Sequence, residues 1–329
     1  MLVIVCPGQG SQVPGLLAPW LELPGLRSRL ESYSDAAGVD LVAHGTTSDA
    51  DTIRDTAVAQ PLIVAGGLLS YSALLDPDGG SEQLPTPPAA AVSGHSVGEV
   101  TAAALAGALA PLLALSLVGV RGRAMAEASN AHPTGMSAVL GGRPEEVLDA
   151  IEGHGLTPAN VNGAGQVVAA GDLDALAALG EAPPARARVI PLTVAGAFHT
   201  RYMAPAVDAL AAAARTTHVA DPAVPIVSNR DGEPVTSGRQ LVQRLVDQVR
   251  NPVRWDLCME RFAAIGVTGV LEIVPSGTLV GLAKRGLKGV GLCALAGPDS
   301  LDEARAFVRE HAGDAPPVSV SAGDRNGQP

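Results

Sequence analysis

Aromatic residues are scarce in this chain of 329 residues. Only 2% of the residues are Phe, Trp or Tyr, whereas 47% are hydrophobic. The length and apolar content are sufficient for a large buried core, which we expect to consist mainly of Ala, Val and Leu. The composition differs from that of disordered or collagen-like chains.

Basic residues and cysteines are also few. The formal net charge is −11, so the chain lacks the basic footprint of a duplex-binding protein, and nucleic acid is not expected as a partner. The three cysteines are Cys6, Cys258 and Cys293. They are isolated and lack the spacing of metal ligands, which predicts reduced thiols and neither a disulfide framework nor a metal site.

Signals for export or membrane insertion are missing as well. Residues 1–7 are apolar but carry no basic segment, which predicts a first buried strand and not a signal peptide. We expect no apolar run long enough to span a bilayer without a break. The expectation is therefore a cytoplasmic, monomeric protein without a membrane partner.

The order of predicted elements indicates a large α/β unit with a smaller unit inserted in it. Within 132–192 the pattern predicts strands at 136–140, 160–162, 167–170 and 189–192, a helix at 144–151, and a second helix that Asp172 caps and that runs through Leu179. This β-α-β-β-α-β order predicts a ferredoxin-like small subdomain. The large subdomain comprises 1–131 and 193–312, and the Pro- and Gly-rich tail at 313–329 is predicted to be disordered.

Ser96 is the first candidate for chemistry. It lies in Gly94-His95-Ser96-Val97-Gly98, between a predicted strand at 89–93 and an Ala-rich helix. Gly-x-Ser-x-Gly in this context is typical of the nucleophile elbow of α/β-hydrolases, and the helix that follows directs its N-terminal N–H groups toward the site. The alternative is an ordinary glycine-bounded turn with an exposed serine. The motif alone does not decide between the two.

A serine nucleophile needs a base, and His199 is the best placed of the seven histidines. It lies in a loop just past a predicted strand of the large unit, where functional residues are often found. The side chain of His95 should point away from that of Ser96, and the other five histidines lie in polar or Gly/Pro-flanked stretches typical of a surface. The alternative for His199 is a half-buried loop histidine without a catalytic role.

Six motifs occur in an order that resembles one family, the malonyl-CoA:acyl carrier protein transacylases. The resemblance covers about residues 1 to 310 and is closest to the free-standing actinobacterial enzymes. The motifs are Pro7-Gly8-Gln9-Gly10-Ser11-Gln12, Gly94-His95-Ser96-Val97-Gly98-Glu99, Arg121-Gly122-Arg123-Ala124-Met125, Asn160-Val161-Asn162 with Gly165-Gln166-Val167-Val168, Gly196-Ala197-Phe198-His199, and Gln248 followed by Asn251-Pro252-Val253-Arg254-Trp255.

The resemblance implies transfer of a malonyl group from malonyl-CoA to the phosphopantetheine thiol of an acyl carrier protein. Ser96 would carry the acyl group and His199 would act as base, with its ring oriented by the backbone carbonyl of Gln248. Backbone N–H groups of Gln9 and Val97 would form the oxyanion hole. No cofactor and no metal are implied, because malonyl-CoA is itself a substrate. The implied fold is α/β, with an α/β-hydrolase-like large subdomain.

Two further residues carry the expected specificity. A guanidinium can grip a carboxylate with two parallel hydrogen bonds, so Arg121 is expected to bind the malonyl carboxylate. The alternative is a surface arginine that pairs with a neighbour such as Glu127. Phe198 would leave little room for an α-methyl group and would favour malonyl over methylmalonyl. It could equally be a core residue.

Asn162 and Gln166 lie on the predicted small subdomain and are candidate cleft residues. If the active site lies between the two subdomains, their polar groups would face it, which is a usual place for a ligand pocket. The alternative is that both residues merely form the turn between two strands.

A docking surface for the carrier protein or for the coenzyme A phosphates is the least specific expectation. The only two lysines of the chain, Lys284 and Lys288, flank Arg285 in its most basic stretch. Such a cluster is also typical of a solvated helix end. Arg186 and Arg188 form a competing basic patch.

A serine thioesterase or hydrolase is the alternative function on the same elbow. Hydrolases of that fold place an acid between serine and histidine in the chain, where Asp172 and Asp174 lie here. A buried carboxylate hydrogen-bonded to His199 would favour this alternative. A carrier-binding module without activity is a third candidate, but it would need neither Ser96 nor Arg121. The sequence does not distinguish fatty-acid from polyketide carrier proteins.

Overall fold

The structure is a computed structural model that describes residues 1–76, 83–194 and 196–313. The tail predicted to be disordered lies, apart from Gly313, outside the described residues. The strands are β1 (Leu2–Cys6), β2 (Ala91–Gly94), β3 (Thr134–Gly141), β4 (Thr157–Gly163), β5 (Gln166–Asp172), β6 (Ala187–Pro191), β7 (Ile226–Val227), β8 (Pro234–Val235), β9 (Val253–Arg254), β10 (Gly269–Glu272) and β11 (Gly291–Ala294). The α-helices are α1 (Leu26–Ala37), α2 (Leu41–Thr46), α3 (Thr56–Leu75), α4 (Gly98–Leu105), α5 (Pro111–Ser129), α6 (Pro144–Gly153), α7 (Leu173–Glu181), α8 (Ala204–Thr216), α9 (Gly238–Gln248), α10 (Trp255–Ala264), α11 (Thr278–Gly286) and α12 (Leu301–His311).

A mainly parallel sheet lies at the centre of the protein, in the order β11-β10-β1-β2-β7-β8. Only the β7–β8 pair is antiparallel among its pairings. Every residue of β1 is buried, as is typical of a strand covered by helices on both faces. Because β1 and β2 are parallel and in register, with Cys6 beside Gly94, the loops that follow them leave at the same sheet edge.

The second sheet has the order β6-β3-β5-β4-β9. Its first four strands are antiparallel neighbours and, with α6 and α7, have the predicted β-α-β-β-α-β sequence. The strands are longer than predicted; β4, for instance, extends over Thr157–Gly163. The sequence did not predict β9, which runs parallel to β4 with Asn160 beside Val253. A strand from outside the range predicted for the small unit, 132–192, thus joins this sheet.

Helix α3 is long and apolar enough to cross a membrane by length and composition, contrary to expectation. Pro61 lies within this helix without ending it. Its most apolar window of 18 residues is 89% buried inside the protein. It packs against α5, the helix that carries Arg121. The apolar run therefore serves as a core helix here.

Candidate active site

Ser96 lies in a sharp turn between β2 and α4. Its backbone has a φ of 54°, in the left-handed region that a non-glycine residue rarely adopts. A Cβ atom at Gly94 would lie 1.9 Å from the carbonyl carbon of Gly98, and one at Gly98 would lie 2.2 Å from the oxygen of Cys6. Both glycines are therefore steric requirements of a strained turn, which an ordinary exposed turn would not need.

The predicted base meets the predicted nucleophile. Nε2 of His199 lies 2.7 Å from Oγ of Ser96, and Nδ1 lies 2.8 Å from the backbone oxygen of Gln248. A carbonyl oxygen can only accept, so Nδ1 carries the proton and Nε2 is free to accept one from the serine. Burial and then the positive charge of Arg121 lower the pKa of His199 to about 3, so the ring is neutral at pH 7.

The observation that would favour a hydrolase is not found in the described part of the chain. Both ring nitrogens of His199 have partners there, Ser96 and the Gln248 carbonyl, and neither is a carboxylate. Asp172 accepts a hydrogen bond from the hydroxyl of Tyr202 at 2.9 Å. It lies at the N-cap of α7, as predicted, but its side chain does not cap the helix.

Arg121 points into the protein from α5. It is 2% exposed, and its Nη1 and Nη2 donate to the side-chain oxygens of Gln60 at 2.6 Å and Gln248 at 3.0 Å. Nη2 also lies 3.4 Å from Oγ of Ser96. Burial lowers the pKa of Arg121 to about 10, which leaves it cationic at pH 7. The alternative of a surface arginine is therefore wrong for Arg121, whereas Arg123, which is exposed, fits it.

Two polar residues without a predicted role lie beneath this group. Glu99 is 1% exposed, and burial raises its pKa to about 7. Its carboxylate accepts hydrogen bonds from the backbone N–H of Asn229 and from Nε2 of Gln248, both at 2.6 Å. Asn229 in turn accepts from the backbone N–H of Ser96 at 2.8 Å and donates to the oxygen of Gly94 at 2.7 Å.

A small cavity of about 80 Å³ opens beside Ser96. Phe198, 7% exposed, is part of its wall, as are Gln9 and Val97. Within the described ranges, the backbone N–H groups of Gln9 and Val97 donate to no protein acceptor, so both are available to a ligand. The cavity is lined by Gln9, Gln60, His95, Ser96, Val97, Met125, Met136, Asn160, Leu192, Val194, Phe198 and His199.

The two candidate cleft residues are not part of this lining. Oδ1 of Asn162 lies 2.9 Å from Nε2 of His95, so its polar group is used within the protein, and Asn160 lines the cavity in its place. Gln166 accepts a hydrogen bond from Nη2 of Arg285 at 3.2 Å. Gln166 thus belongs with the basic stretch on α11 and not with the cavity.

The predicted docking residues are on the surface. Lys284, Arg285 and Lys288 are exposed at the end of α11, and Arg186 and Arg188 are exposed at β6. Neither patch contributes to the cavity wall. In the part of the chain that the structure describes, no group of three or more His, Cys, Asp or Glu side chains could hold a metal ion.

Sequence reasoning gave no role to Gln60, Glu99 or Asn229, although Glu99 is the last residue of the motif around Ser96. A signal existed for Asn229, because it follows β7, the neighbour of β2 in the parallel sheet, and so leaves at the same edge as Ser96. No comparable signal marks Gln60, which lies within a largely apolar helix.

Comparison with known proteins agrees with this geometry. The family model described as an acyl transferase domain matches residues 3–313. The malonyl CoA-acyl carrier protein transacylase of Mycobacterium tuberculosis is 50% identical over 305 residues, which cover 92% of this chain and 99% of the relative.

Solved structures show the same relationship. The crystal structure of MCAT from Mycobacterium tuberculosis superposes with a TM-score of 0.87 at 50% identity, covering 93% of this chain and 99% of that one. A malonyl-transacylase in complex with its type II PKS acyl-carrier protein superposes with a TM-score of 0.84 at 30% identity, covering 93% of this chain and 99% of that one. Because the family model matches residues 3–313 and a relative is 50% identical over 92% of this chain, the chain belongs to the acyl transferase family.

Proposed function

We propose that this protein transfers a malonyl group from malonyl-CoA to the phosphopantetheine thiol of an acyl carrier protein, through a malonyl-serine intermediate. The observation that carries the proposal is the contact of Ser96 with both His199, at 2.7 Å, and Arg121, at 3.4 Å. It joins a nucleophile and base to a buried cation suited to an acyl group that ends in a carboxylate. The names of the relatives in Mycobacterium tuberculosis support the same substrates.

The first half-reaction acylates the serine. His199 takes the hydroxyl proton at Nε2 as Oγ of Ser96 attacks the thioester carbonyl, and the carbonyl electron pair moves onto oxygen. The backbone N–H groups of Gln9 and Val97 donate to that oxyanion. When the oxyanion collapses, the carbon–sulfur bond breaks and the coenzyme A sulfur leaves with the proton from His199.

The second half-reaction repeats these steps with the carrier thiol. His199 removes the thiol proton, the sulfur attacks the ester carbonyl, and Ser96 leaves as its hydroxyl after taking the proton back. All protons and electron pairs are accounted for by Ser96, His199 and the two thiols. We therefore propose that the reaction uses neither a metal nor a cofactor.

The neutral state of His199 suits this cycle. A base must be unprotonated before it can act, and the lowered pKa of His199 ensures this well below pH 7. The imidazolium formed during attack is stabilised by the Gln248 carbonyl at Nδ1 and by the oxyanion that appears at the same time. A main-chain dipole thus takes the place that a carboxylate holds in a hydrolase triad.

Arg121 and Phe198 select the acyl group. The side-chain partners of Arg121 are the amides of Gln60 and Gln248 and the hydroxyl of Ser96, so none of its hydrogen bonds in the described residues goes to a carboxylate. A carboxylate that receives two charge-assisted hydrogen bonds gains about 1.5–3 kcal/mol from each. The ring of Phe198 in the cavity wall disfavours an α-methyl group.

The finer description of the fold also forms part of the proposal. We propose that residues 1–131 and 193–312 form an α/β-hydrolase-like subdomain and that 132–192 form a ferredoxin-like one. The strand order β6-β3-β5-β4 and the elbow at Ser96 support this division. The protein would act as a cytoplasmic monomer.

The carrier protein is proposed to approach through the basic stretch on α11. Lys284, Arg285 and Lys288 are exposed cations in a chain of net charge −11, and carrier proteins are usually acidic. Reversing the charge of both lysines should raise KM for the carrier while leaving malonyl loading from malonyl-CoA unchanged. An unchanged KM would assign docking to another surface, such as that of Arg186 and Arg188.

Intact-mass measurement tests the function directly. The protein incubated with malonyl-CoA should gain one malonyl group, and holo acyl carrier protein added afterwards should remove it and gain the group itself. Ser96→Ala should show no gain. Release of free malonate, with no transfer to any of several purified fatty-acid and polyketide carrier proteins, would contradict the proposal.

A further inference from the structure

Glu99 is a buried carboxyl group in the first turn of α4, three residues after Ser96, and neither proton transfer nor acyl binding uses it. A carboxylate without water around it needs hydrogen-bond donors and nearby positive charge. Oε1 accepts from the backbone N–H of Asn229 and Oε2 from Nε2 of Gln248, both at 2.6 Å. Arg244 and Arg121 supply the positive charge that lowers the cost of its ionised form.

The Glu99 carboxylate determines which way the Gln248 amide faces. Both oxygens of Glu99 accept hydrogen bonds from N–H donors, and Oε2 faces the Nε2 side of the amide. The Oε1 side then faces Nη2 of Arg121, from which it accepts at 3.0 Å. A reversed amide would place oxygen against the carboxylate and NH₂ against the guanidinium, two unfavourable contacts in a buried site. Oδ1 of Asn229, 3.3 Å from Nε2, has the same preference.

The second carboxylate oxygen holds the turn of the nucleophile. This oxygen, Oε1, accepts from the backbone N–H of Asn229. Oδ1 of Asn229 accepts from the backbone N–H of Ser96 at 2.8 Å, and its Nδ2 donates to the backbone oxygen of Gly94 at 2.7 Å. One carboxylate therefore connects the strained serine turn to Gln248. Gln248 contacts both His199 and Arg121, the first through its backbone and the second through its side chain.

We propose that Glu99 is a positioning residue that holds the Gln248 amide in the orientation directing Arg121 toward the acyl carboxylate, and that links this orientation to the Ser96 turn. The inference rests on the proposed malonyl transfer. It assigns to Glu99 an effect on acyl selectivity, which a purely structural buried residue would not have.

Glu99→Gln is the direct test. The substitution keeps the shape of the side chain. Glu99 now accepts from two donors, the backbone N–H of Asn229 and Nε2 of Gln248, whereas a glutamine offers one acceptor and one donor at the same place. Reversal of the Gln248 amide satisfies the new side chain and removes the acceptor from Arg121. We expect the ratio of kcat/KM for malonyl to that for acetyl loading to fall about tenfold, the size of one hydrogen bond to a charged group. Acetyl loading should change less, because acetyl has no carboxylate.

Gln248→Ala is the second variant, and it leaves Glu99 in place. It deletes the amide but keeps the backbone carbonyl for His199, so the ratio should fall by a similar factor. If the effect of Glu99 runs through this amide, adding Glu99→Gln to Gln248→Ala should lower the ratio no further. Additive losses in the double variant would overturn the proposal. An unchanged ratio in Gln248→Ala would do so even if Glu99→Gln failed to fold.

The outcomes also separate this inference from the proposed function. A wild-type protein that takes up neither acyl group overturns both. A wild-type protein that loads malonyl, with a Glu99→Gln variant that retains the wild-type ratio, overturns the positioning role alone. The same holds if Glu99→Gln lowers malonyl and acetyl loading equally, because that result is the signature of general structural damage.

Discussion

Replacement of Arg121 by Ala should remove the preference of the enzyme for acyl groups that end in a carboxylate. Two charge-assisted hydrogen bonds at about 1.5–3 kcal/mol each amount to about 3–6 kcal/mol. At about 1.4 kcal/mol per factor of ten, the lower end corresponds to a loss of roughly a hundredfold in kcat/KM for malonyl loading. Acetyl loading lacks this interaction and should fall far less.

The substitution also has a structural cost that must be measured separately. Arg121 is buried, and its removal leaves the side-chain oxygens of Gln60 and Gln248 without their donor. Each buried group left unsatisfied costs about 1–3 kcal/mol of unfolding free energy. Urea unfolding of the variant should show this loss. Arg121→Lys keeps the charge without the planar fork and should be intermediate in malonyl loading.

The assay is the time course of intact-mass gain with malonyl-CoA and, in parallel, with acetyl-CoA. Arg123→Ala is the matched control, because Arg123 lies on the same helix but is exposed and donates to the backbone oxygen of Ala37. It should load both acyl groups as the wild type does. If Arg121→Ala slowed malonyl and acetyl loading by the same factor, the guanidinium would not be the carboxylate-binding group.

Three further predictions concern the pH dependence of stability, the elbow and the acyl pocket. The pKa of His199 is lowered on folding, so the unfolded state binds the proton more tightly and stability is lost as pH falls from 6.5 toward about 3. Urea unfolding measured at pH 7 and at pH 5 gives the unfolding free energy lost between the two pH values. His199→Gln should lose less than the wild type, by about 1.4 kcal/mol per pH unit below 6.5. Equal losses in the variant and the wild type would contradict a buried neutral ring. Gly94→Ala should lower the melting temperature sharply and abolish loading, because its Cβ would collide with Gly98, whereas Gly153→Ala, with open space around it, should do neither. Phe198→Ser should raise kcat/KM for methylmalonyl relative to malonyl by roughly tenfold, the size of a methyl mismatch of about 1–3 kcal/mol; an unchanged ratio in the loading assay would make Phe198 a core residue only.

Features set by local sterics could be predicted from the sequence. The first strand, Leu2–Cys6, lies within the apolar stretch 1–7 that predicted it, and α5 begins at Pro111, whose fixed φ suits a first helical position. The Ser96 turn was predicted because glycines on both sides are a local requirement. The inward position of Arg121 was expected only from the family resemblance, because the residues alone left open a surface arginine paired with a neighbour such as Glu127.

Features that depend on distant contacts could not be predicted in this way. Asp172 has the residue type and position of a helix cap, but the hydroxyl of Tyr202, distant in sequence, binds its carboxylate instead. Asn162 was expected to face the cavity and is bound by His95 for the same reason. The two-residue strand β9 has no local pattern at all, because its pairing with β4 alone defines it.

Gln248 makes two contacts in the site, one through its backbone and one through its side chain. Its main-chain oxygen accepts a hydrogen bond from Nδ1 of His199, while its side chain accepts one from Arg121. No substitution that leaves the backbone in place can delete a main-chain carbonyl, so the proposed base, His199, keeps its acceptor when the side chain at position 248 is shortened. Position 248 is therefore a starting point for changing the preferred acyl group without removing the acceptor of His199.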